Sequence, residues 1–275
     1  EIMKDDNSPD REIYLHGHHP VVVDEHARRS ADRNAAYLLP HLKLGMSMLD
    51  IGCGPGSITA GLAEAVSPGQ TIGIDMSDKA LDRARADAEV AGLSNVEYRV
   101  ADAYDLPFPD DSFDAAHMHQ VLQHLADPRK AVGEAMRVLK PGGVFGVTEV
   151  DWDTAVFWPR TPETNRFLDI YDEVALHNGA DPDFGRRLRS MFEPLGVSCL
   201  EISALAWTFG DAASAEQWGD LWRERIQKSN IATVALEVGI STREELATVG
   251  EGLHRWGQSP DAFFSITHTE ALAWK

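Results

Sequence analysis

The sequence is poor in cysteine and in positive charge, and it has no long apolar run. Its 275 residues include two cysteines, 25 Lys and Arg side chains and 44 Asp and Glu side chains, for a formal net charge of −19. Two cysteines cannot build a disulfide framework, and such an acidic surface repels the phosphate backbone that dominates nucleic-acid affinity. No stretch approaches the ~18 apolar residues of a membrane span. We therefore expect a cytoplasmic globular protein with reduced cysteines, no nucleic-acid partner and no membrane span.

Ligand spacings typical of metal sites are also missing. The densest histidine cluster is His16-Gly17-His18-His19. A zinc site needs three or four converging ligands, and neither this segment nor the cysteines supply such a set. We expect no metal.

Short apolar runs alternate with amphipathic segments through the middle of the chain. The pattern predicts five strands at 48–51, 71–74, 96–100, 113–118 and 144–150, with helices at 57–66 and 77–91 and another starting at Asp127. Repeated strand–helix units joined by short turns predict an α/β fold with an open, mostly parallel sheet and helices on both faces.

The flanking segments do not follow this pattern. A helix at about 21–39 predicts an N-terminal helical cap within residues 1–45. Residues 46–150 then form the core, and residues 151–275 complete the sheet. In that last part we expect helices at 162–177, 184–195, 213–229 and 241–256, and strands at 197–205 and 263–274.

One glycine-dense turn carries the clearest functional signal. The first predicted strand ends in Leu49-Asp50-Ile51-Gly52-Cys53-Gly54-Pro55-Gly56, and the second ends at Asp75. Glycine permits a positive φ and lets a ligand approach the backbone closely. A carboxylate at the end of the next strand can accept both hydroxyls of a ribose. Together they predict an adenosine site at the carboxyl ends of parallel strands.

These stretches resemble the class I S-adenosylmethionine-dependent methyltransferases, in particular the small-molecule branch of the ubiquinone/menaquinone-biosynthesis type. The matching stretches are 49–56, 74–77, 100–106, 113–127 and 137–143. The resemblance implies a Rossmann-like sheet of seven strands, the last two forming an antiparallel pair at the sheet edge. In this chain a helical insertion separates those two strands.

The same resemblance assigns most recognisable residues to S-adenosylmethionine. It implies that the glycine turn meets the amino acid part of the cofactor and that Asp50 fixes the turn or receives the ammonium. Met76 would pack beside the adenine, and Asp102 and the Ala103 N–H would meet its polar edge. The implied cofactor contacts are Tyr14, Asp50, Gly52, Cys53, Gly54, Gly56, Asp75, Met76, Asp102, Ala103 and His119.

The resemblance also implies which residues lie near the transferred methyl group, and these are the candidates for catalysis. His119 directly follows the fourth predicted strand, and Asp151 directly follows the fifth. His18 or His19 would face the acceptor if the N-terminal cap closes over the site. Histidine suits a general base because its pKa lies near the working pH, and His117 is a further candidate. Two other interpretations stay open. Positioning alone can suffice for methyl transfer, and these histidines can be structural.

The function predicted on these grounds is in-line methyl transfer to a small, apolar or aromatic metabolite, with Trp152, Phe157, Trp158 and Trp207 lining its pocket. One alternative is a non-catalytic cofactor-binding protein of the same fold. Another is a nicotinamide-dependent oxidoreductase, although the G-x-G-x-G spacing is tighter than the G-x-G-x-x-G of dinucleotide binders. The sequence leaves open the methylated atom, whether carbon, oxygen or nitrogen, and the oligomeric state.

Overall fold

A computed structural model describes residues 26–275. The strands are β1 Met48–Ile51, β2 Thr71–Asp75, β3 Val96–Val100, β4 Phe113–His119, β5 Leu139–Trp158, β6 Cys199–Phe209 and β7 Phe263–Trp274. They form one seven-stranded sheet in the order β3-β2-β1-β4-β5-β7-β6. Strands β1 to β5 pair in parallel, and β7 is antiparallel to both β5 and β6. The predicted α/β class, the strand number and the antiparallel edge pair are confirmed.

The α-helices among these residues begin and end close to sequence signals. They are α1 Ala31–Asn34, α2 Ser57–Val66, α3 Asp78–Ala91, α4 Pro128–Val138, α5 Pro162–His177, α6 Leu188–Phe192, α7 Ala212–Lys228, α8 Asn230–Glu237 and α9 Arg243–Gly257. Ser77 caps α3 by accepting the Ala80 N–H at 3.3 Å. Asp127 caps α4 by accepting the Lys130 N–H at 3.1 Å. Each side chain satisfies a backbone donor that the first helical turn leaves unpaired.

One helix prediction is wrong, and another is confirmed in its bounds but not in its type. The helix expected at 21–39 is not continuous over its described part, because Ser30 is extended and Asn34 accepts the Ser30 N–H through its side chain at 3.0 Å. Such local bonds compete with a longer helix. The helix expected at 184–195 is divided into two 3₁₀ turns flanking α6. Pro194 lies in the second of these turns and cannot donate a helical hydrogen bond.

Alternate side chains divide the sheet into two faces. One face packs on α1 and α2 through Met48, Leu62 and Leu272, and we call it the α2 face. The opposite face packs on α4 and α6 through residues such as Phe145 and Leu188, and we call it the α4 face. The register His117–Gly146 and His119–Thr148 places these side chains on the α2 face.

The predicted helical insertion consists of α7, α8 and α9, between β6 and β7. With α5 it covers the far ends of β5 and β7 through an aromatic cluster. In this cluster the Phe157 and Phe264 rings lie 4.7 Å apart and those of Trp218 and Phe264 lie 4.3 Å apart. Phe157 is thus a core residue, whereas Trp158 is 63% exposed. Within residues 26–275, none of the helices has both the length and the apolar character required to cross a membrane.

Candidate active site

The glycine turn after β1 has one open side. Gly52, Gly54 and Gly56 have φ values of +71°, +54° and +77°, a region that favours glycine. A Cβ added to Gly52 would lie 2.5 Å from Val121 Cγ2, and one added to Gly56 would lie 2.6 Å from the Tyr98 hydroxyl. A Cβ on Gly54 would meet nothing within 4 Å. Gly52 and Gly56 therefore allow the turn to pack closely against the protein, whereas Gly54 borders open space.

The Asp75 carboxylate is tied to this turn. Its Oδ2 accepts the Gly54 N–H at 2.9 Å, and its Oδ1 accepts the Ser77 N–H at 2.8 Å. The two bonds fix the carboxylate at the end of β2, beside the open side of the turn. Met76 follows it and is 60% exposed. The open space at Gly54, the fixed Asp75 carboxylate and the exposed Met76 side chain therefore lie together, and we call this group the cofactor cradle.

Asp102 and Ala103 lie in the loop after β3. Asp102 is exposed, and its Oδ1 accepts the Tyr104 N–H at 2.8 Å. Ala103 and Tyr104 pack against the core on the α4 face. The loop is thus held beside the end of β2, with the carboxylate of Asp102 facing solvent.

Asp50 is buried beneath the turn, with both oxygens engaged. His117 Nδ1 lies 2.8 Å from Asp50 Oδ1, and the Thr59 hydroxyl donates to Asp50 Oδ2 at 2.5 Å. Asp50 therefore joins β1 to β4 and α2. Cys53 donates its N–H to the carbonyl of Ile74 at 2.9 Å. Burial raises the pKa of the Cys53 thiol well above its ordinary value, so that thiol stays protonated.

The segment after β4 is held by a buried carboxyl group that the sequence analysis did not assign. Glu149 Oε1 accepts the N–H groups of Val121 and Leu122 at 2.8 and 2.6 Å. Gln120 precedes them with φ +55°. Burial raises the pKa of Glu149 to about 8. The sequence offered one signal for this role, namely that Glu149 is an acidic residue within the mostly apolar predicted strand 144–150.

His119 belongs to a series of near-parallel rings on the α2 face. Its centroid lies 6.2 Å from that of His117 and 6.0 Å from that of Trp207, and Trp207 stacks on His268 at 3.9 Å. Burial, and then the charge of Arg29, lower the pKa of His119 well below its ordinary value. The ring is therefore neutral at physiological pH. The amide of Gln120 donates to His268 Nε2 at 2.8 Å, a contact between positions that are too far apart in sequence to predict.

Asp151, another catalytic candidate, is not brought to His119. Asp151 lies on the α4 face and holds Arg186 through two bonds of 2.6 and 2.7 Å. Such a bidentate ion pair restrains the carboxylate. Tyr14, His18 and His19 lie outside the described residues.

Comparisons with known proteins show what the chain is similar to. A methyltransferase domain matches residues 49–147. An uncharacterised methyltransferase of Schizosaccharomyces pombe is 33% identical, over 94% of this chain and 95% of that protein. A demethylmenaquinone methyltransferase of Clavibacter sepedonicus is 38% identical, over 46% of this chain and 48% of that protein.

The fold has solved counterparts as well. The YcgJ protein of Bacillus subtilis superposes with a TM-score of 0.60 at 19% identity, over 89% of this chain and 98% of that one. That likeness concerns the fold, whereas the full-length relative shows the family. S-adenosylmethionine is accordingly the cofactor, and the chain belongs to the class I S-adenosylmethionine-dependent methyltransferases.

Proposed function

We propose that this methyltransferase acts on a small, aromatic or apolar metabolite by in-line displacement. The cofactor would sit on Gly54 and Asp75, and the acceptor would lie between the end of β4 and the aromatic helices. The carrying observation is the close approach of Gly52 to Val121. This contact brings the cofactor cradle next to the segment after β4. That segment directly follows His119, whose buried ring lies near that of Trp207.

The cofactor supplies an electrophilic methyl carbon on a sulfonium, so the chain's residues have mainly to bind and orient. Asp75 would receive the ribose hydroxyls, and the loop of Asp102 and Ala103 would meet the adenine. Glu149 holds the backbone after β4, on which the acceptor would rest. His119 is neutral and buried, so it can accept a proton from the acceptor or orient it by hydrogen bonding.

Two further observations support a small-molecule acceptor. One relative is by name a demethylmenaquinone methyltransferase. The net charge of −19 disfavours a nucleic-acid acceptor. A nicotinamide-dependent oxidoreductase is not favoured, because the methyltransferase domain covers the glycine turn.

A methyl-transfer assay tests the proposal. The protein is incubated with S-adenosylmethionine labelled in its methyl group and a panel of quinols, phenols, aliphatic alcohols and amines. We expect label in an aromatic member of the panel. S-adenosylhomocysteine binding by calorimetry is the control. Cofactor binding with no transfer to any member would support the non-catalytic alternative instead.

A further inference from the structure

Several buried polar atoms near the end of β4 have no hydrogen-bond partner within residues 26–275, the part of the chain that the structure describes. They are the Tyr37 phenol oxygen, His117 Nε2, both ring nitrogens of His119 and the Thr148 hydroxyl. His119 and Thr148 are cross-strand partners of β4 and β5, and they are 8% and 2% exposed. The atoms therefore lie together on the α2 face.

The ring of Tyr37 packs directly over Gly146, which has no side chain. A Cβ added to Gly146 would lie 3.2 Å from the phenol oxygen of Tyr37. Thr148 is a neighbour of that phenol, since it lowers the pKa of Tyr37 against the larger opposite effect of burial. That effect is a hydrogen-bonding interaction of the phenol with the Thr148 side chain, but neither hydroxyl has a partner of full hydrogen-bond geometry among residues 26–275.

The row of side chains that runs across the sheet from Thr148 to β7 and β6 does form a hydrogen bond farther from His119. Thr148 lies opposite Glu270 of β7, and Glu270 lies opposite Ser203 of β6. Ser203 donates to Glu270 Oε2 at 2.8 Å. Hydrogen-bonding capacity therefore goes unused beside His119 and not at the sheet edge. Buried polar groups left unpaired are costly, and such groups usually bind ordered water or a ligand.

We propose that Tyr37, His119 and Thr148 bind a ring hydroxyl of the methyl acceptor, so that the substrate class is hydroxylated aromatic compounds. The proposal rests on the proposed function and specifies its substrate. A neutral imidazole has one donor and one acceptor nitrogen, and hydroxyl groups both donate and accept. An acceptor hydroxyl can therefore satisfy several of these atoms at once. The ring of Trp207, near-parallel to His119, offers an aromatic surface beside them.

Two compounds of equal shape test the recognition of oxygen. The protein, saturated with S-adenosylhomocysteine, is titrated with 1-naphthol and with 1-methylnaphthalene, in which a methyl group replaces the hydroxyl. We expect 1-naphthol to bind about tenfold more tightly or better, because the methyl compound leaves the row unpaired. Equal affinities, or no binding of 1-naphthol up to its solubility limit, would overturn the proposal.

A matched pair of variants locates the effect. Thr148→Val removes the hydroxyl at nearly constant shape, and we expect it to reduce the preference for 1-naphthol at least threefold. Thr71→Val is the control, because Thr71 is also fully buried with an unpartnered hydroxyl but lies at the start of β2. We expect that variant to keep the preference.

Thermal unfolding without ligand separates recognition from a structural role. Removing an unpaired buried hydroxyl at constant shape is near neutral or stabilising. We therefore expect Thr148→Val to unfold at or above the wild-type temperature. A clear loss of stability, or an equal loss of preference in Thr71→Val, would contradict the assignment. Intact S-adenosylhomocysteine binding in the same titrations shows that such a failure concerns the hydroxyl site and not the cofactor site.

Discussion

The backbone N–H of Gly54 donates to the carboxylate of Asp75 at 2.9 Å. This bond joins the turn after β1 to the end of β2, so the two expected cofactor contacts are positioned by one another. A change at either residue is therefore expected to affect cofactor binding before it affects the fold.

Asp75→Ala should weaken S-adenosylhomocysteine binding about tenfold or more, as measured by calorimetry. The substitution removes the carboxylate that we propose as acceptor for the ribose hydroxyls, and loss of such a charged acceptor costs roughly 1.5–3 kcal/mol. Asp82→Ala is the control, because Asp82 is an exposed residue of α3 whose carboxylate pairs with Arg85. Unchanged affinity in Asp75→Ala would show that Asp75 does not hold the ribose.

Gly54→Val should abolish cofactor binding in a protein that still folds. The valine side chain would enter the open space beside Asp75, and its β-branch suits a positive φ poorly. Gly92→Val is matched to it, because Gly92 has φ +69° and open space around its Cβ position, but it ends α3 away from the site. Calorimetry and circular dichroism on both variants separate backbone strain from blocked binding. Normal binding by Gly54→Val would mean that the turn is only structural.

Glu149 should make the protein less stable as the pH rises. Its pKa is about 8 in the folded state against an ordinary 4.5, so the folded state binds the proton more tightly. The stabilisation is fully present below pH ~4.5 and is lost as the pH rises through ~8, with a slope of up to about 1.4 kcal/mol per pH unit.

Denaturant unfolding of wild type and Glu149→Gln between pH 5 and pH 9 measures this contribution. We expect a steeper decline in the wild type than in the variant. Glu134→Gln serves as the control, because Arg137 holds the pKa of Glu134 below its ordinary value. Its own titration therefore lies below this window. Parallel curves for wild type and Glu149→Gln would contradict the assignment.

His119→Ala should reduce kcat through lost positioning or proton transfer, without removing a titration near neutral pH. Because burial keeps the His119 ring neutral, its contribution to kcat should be constant from pH 6 to pH 8. The measurement is kcat at saturating cofactor across pH, with Asp151→Ala and His117→Ala assayed alongside. A rise in rate through pH 6–7 that vanishes only in His119→Ala would show that the ring titrates there. If no variant loses more than about tenfold in kcat, the mechanism is positioning alone.

The parts of the fold that depend on local signals were predictable. Helix α2 and strand β1 have the predicted bounds, because amphipathic spacing and glycine mark their ends within a few residues. Helix α8 was missed because it follows α7 directly, with Ser229 the residue between them. The first part of β5, 139–143, was missed because its Pro-Gly-Gly sequence is typical of a turn.

Some contacts of the candidate site were likewise predictable from local sequence signals, and others were not. Asp75 could be placed because strand ends in a parallel sheet meet at one edge. The bond between Gln120 and His268 joins residues 148 positions apart, so no local pattern contains it. The same holds for the packing of Tyr37 over Gly146, which joins residues distant in the sequence.

Strand β5 continues without interruption from the cofactor core into the aromatic helices, passing through an irregularity between Asp151 and Val156, and β7 accompanies it to Phe263. The helical insertion therefore packs on an extended antiparallel pair of strands, β5 and β7, that is continuous with the central sheet. Because the proposed acceptor site lies between β4 and these helices, exchange of α7 to α9 between relatives should alter acceptor preference in part while leaving S-adenosylhomocysteine affinity intact. Substrates would then change through substitutions in the helical insertion, while the cofactor-binding core stays the same.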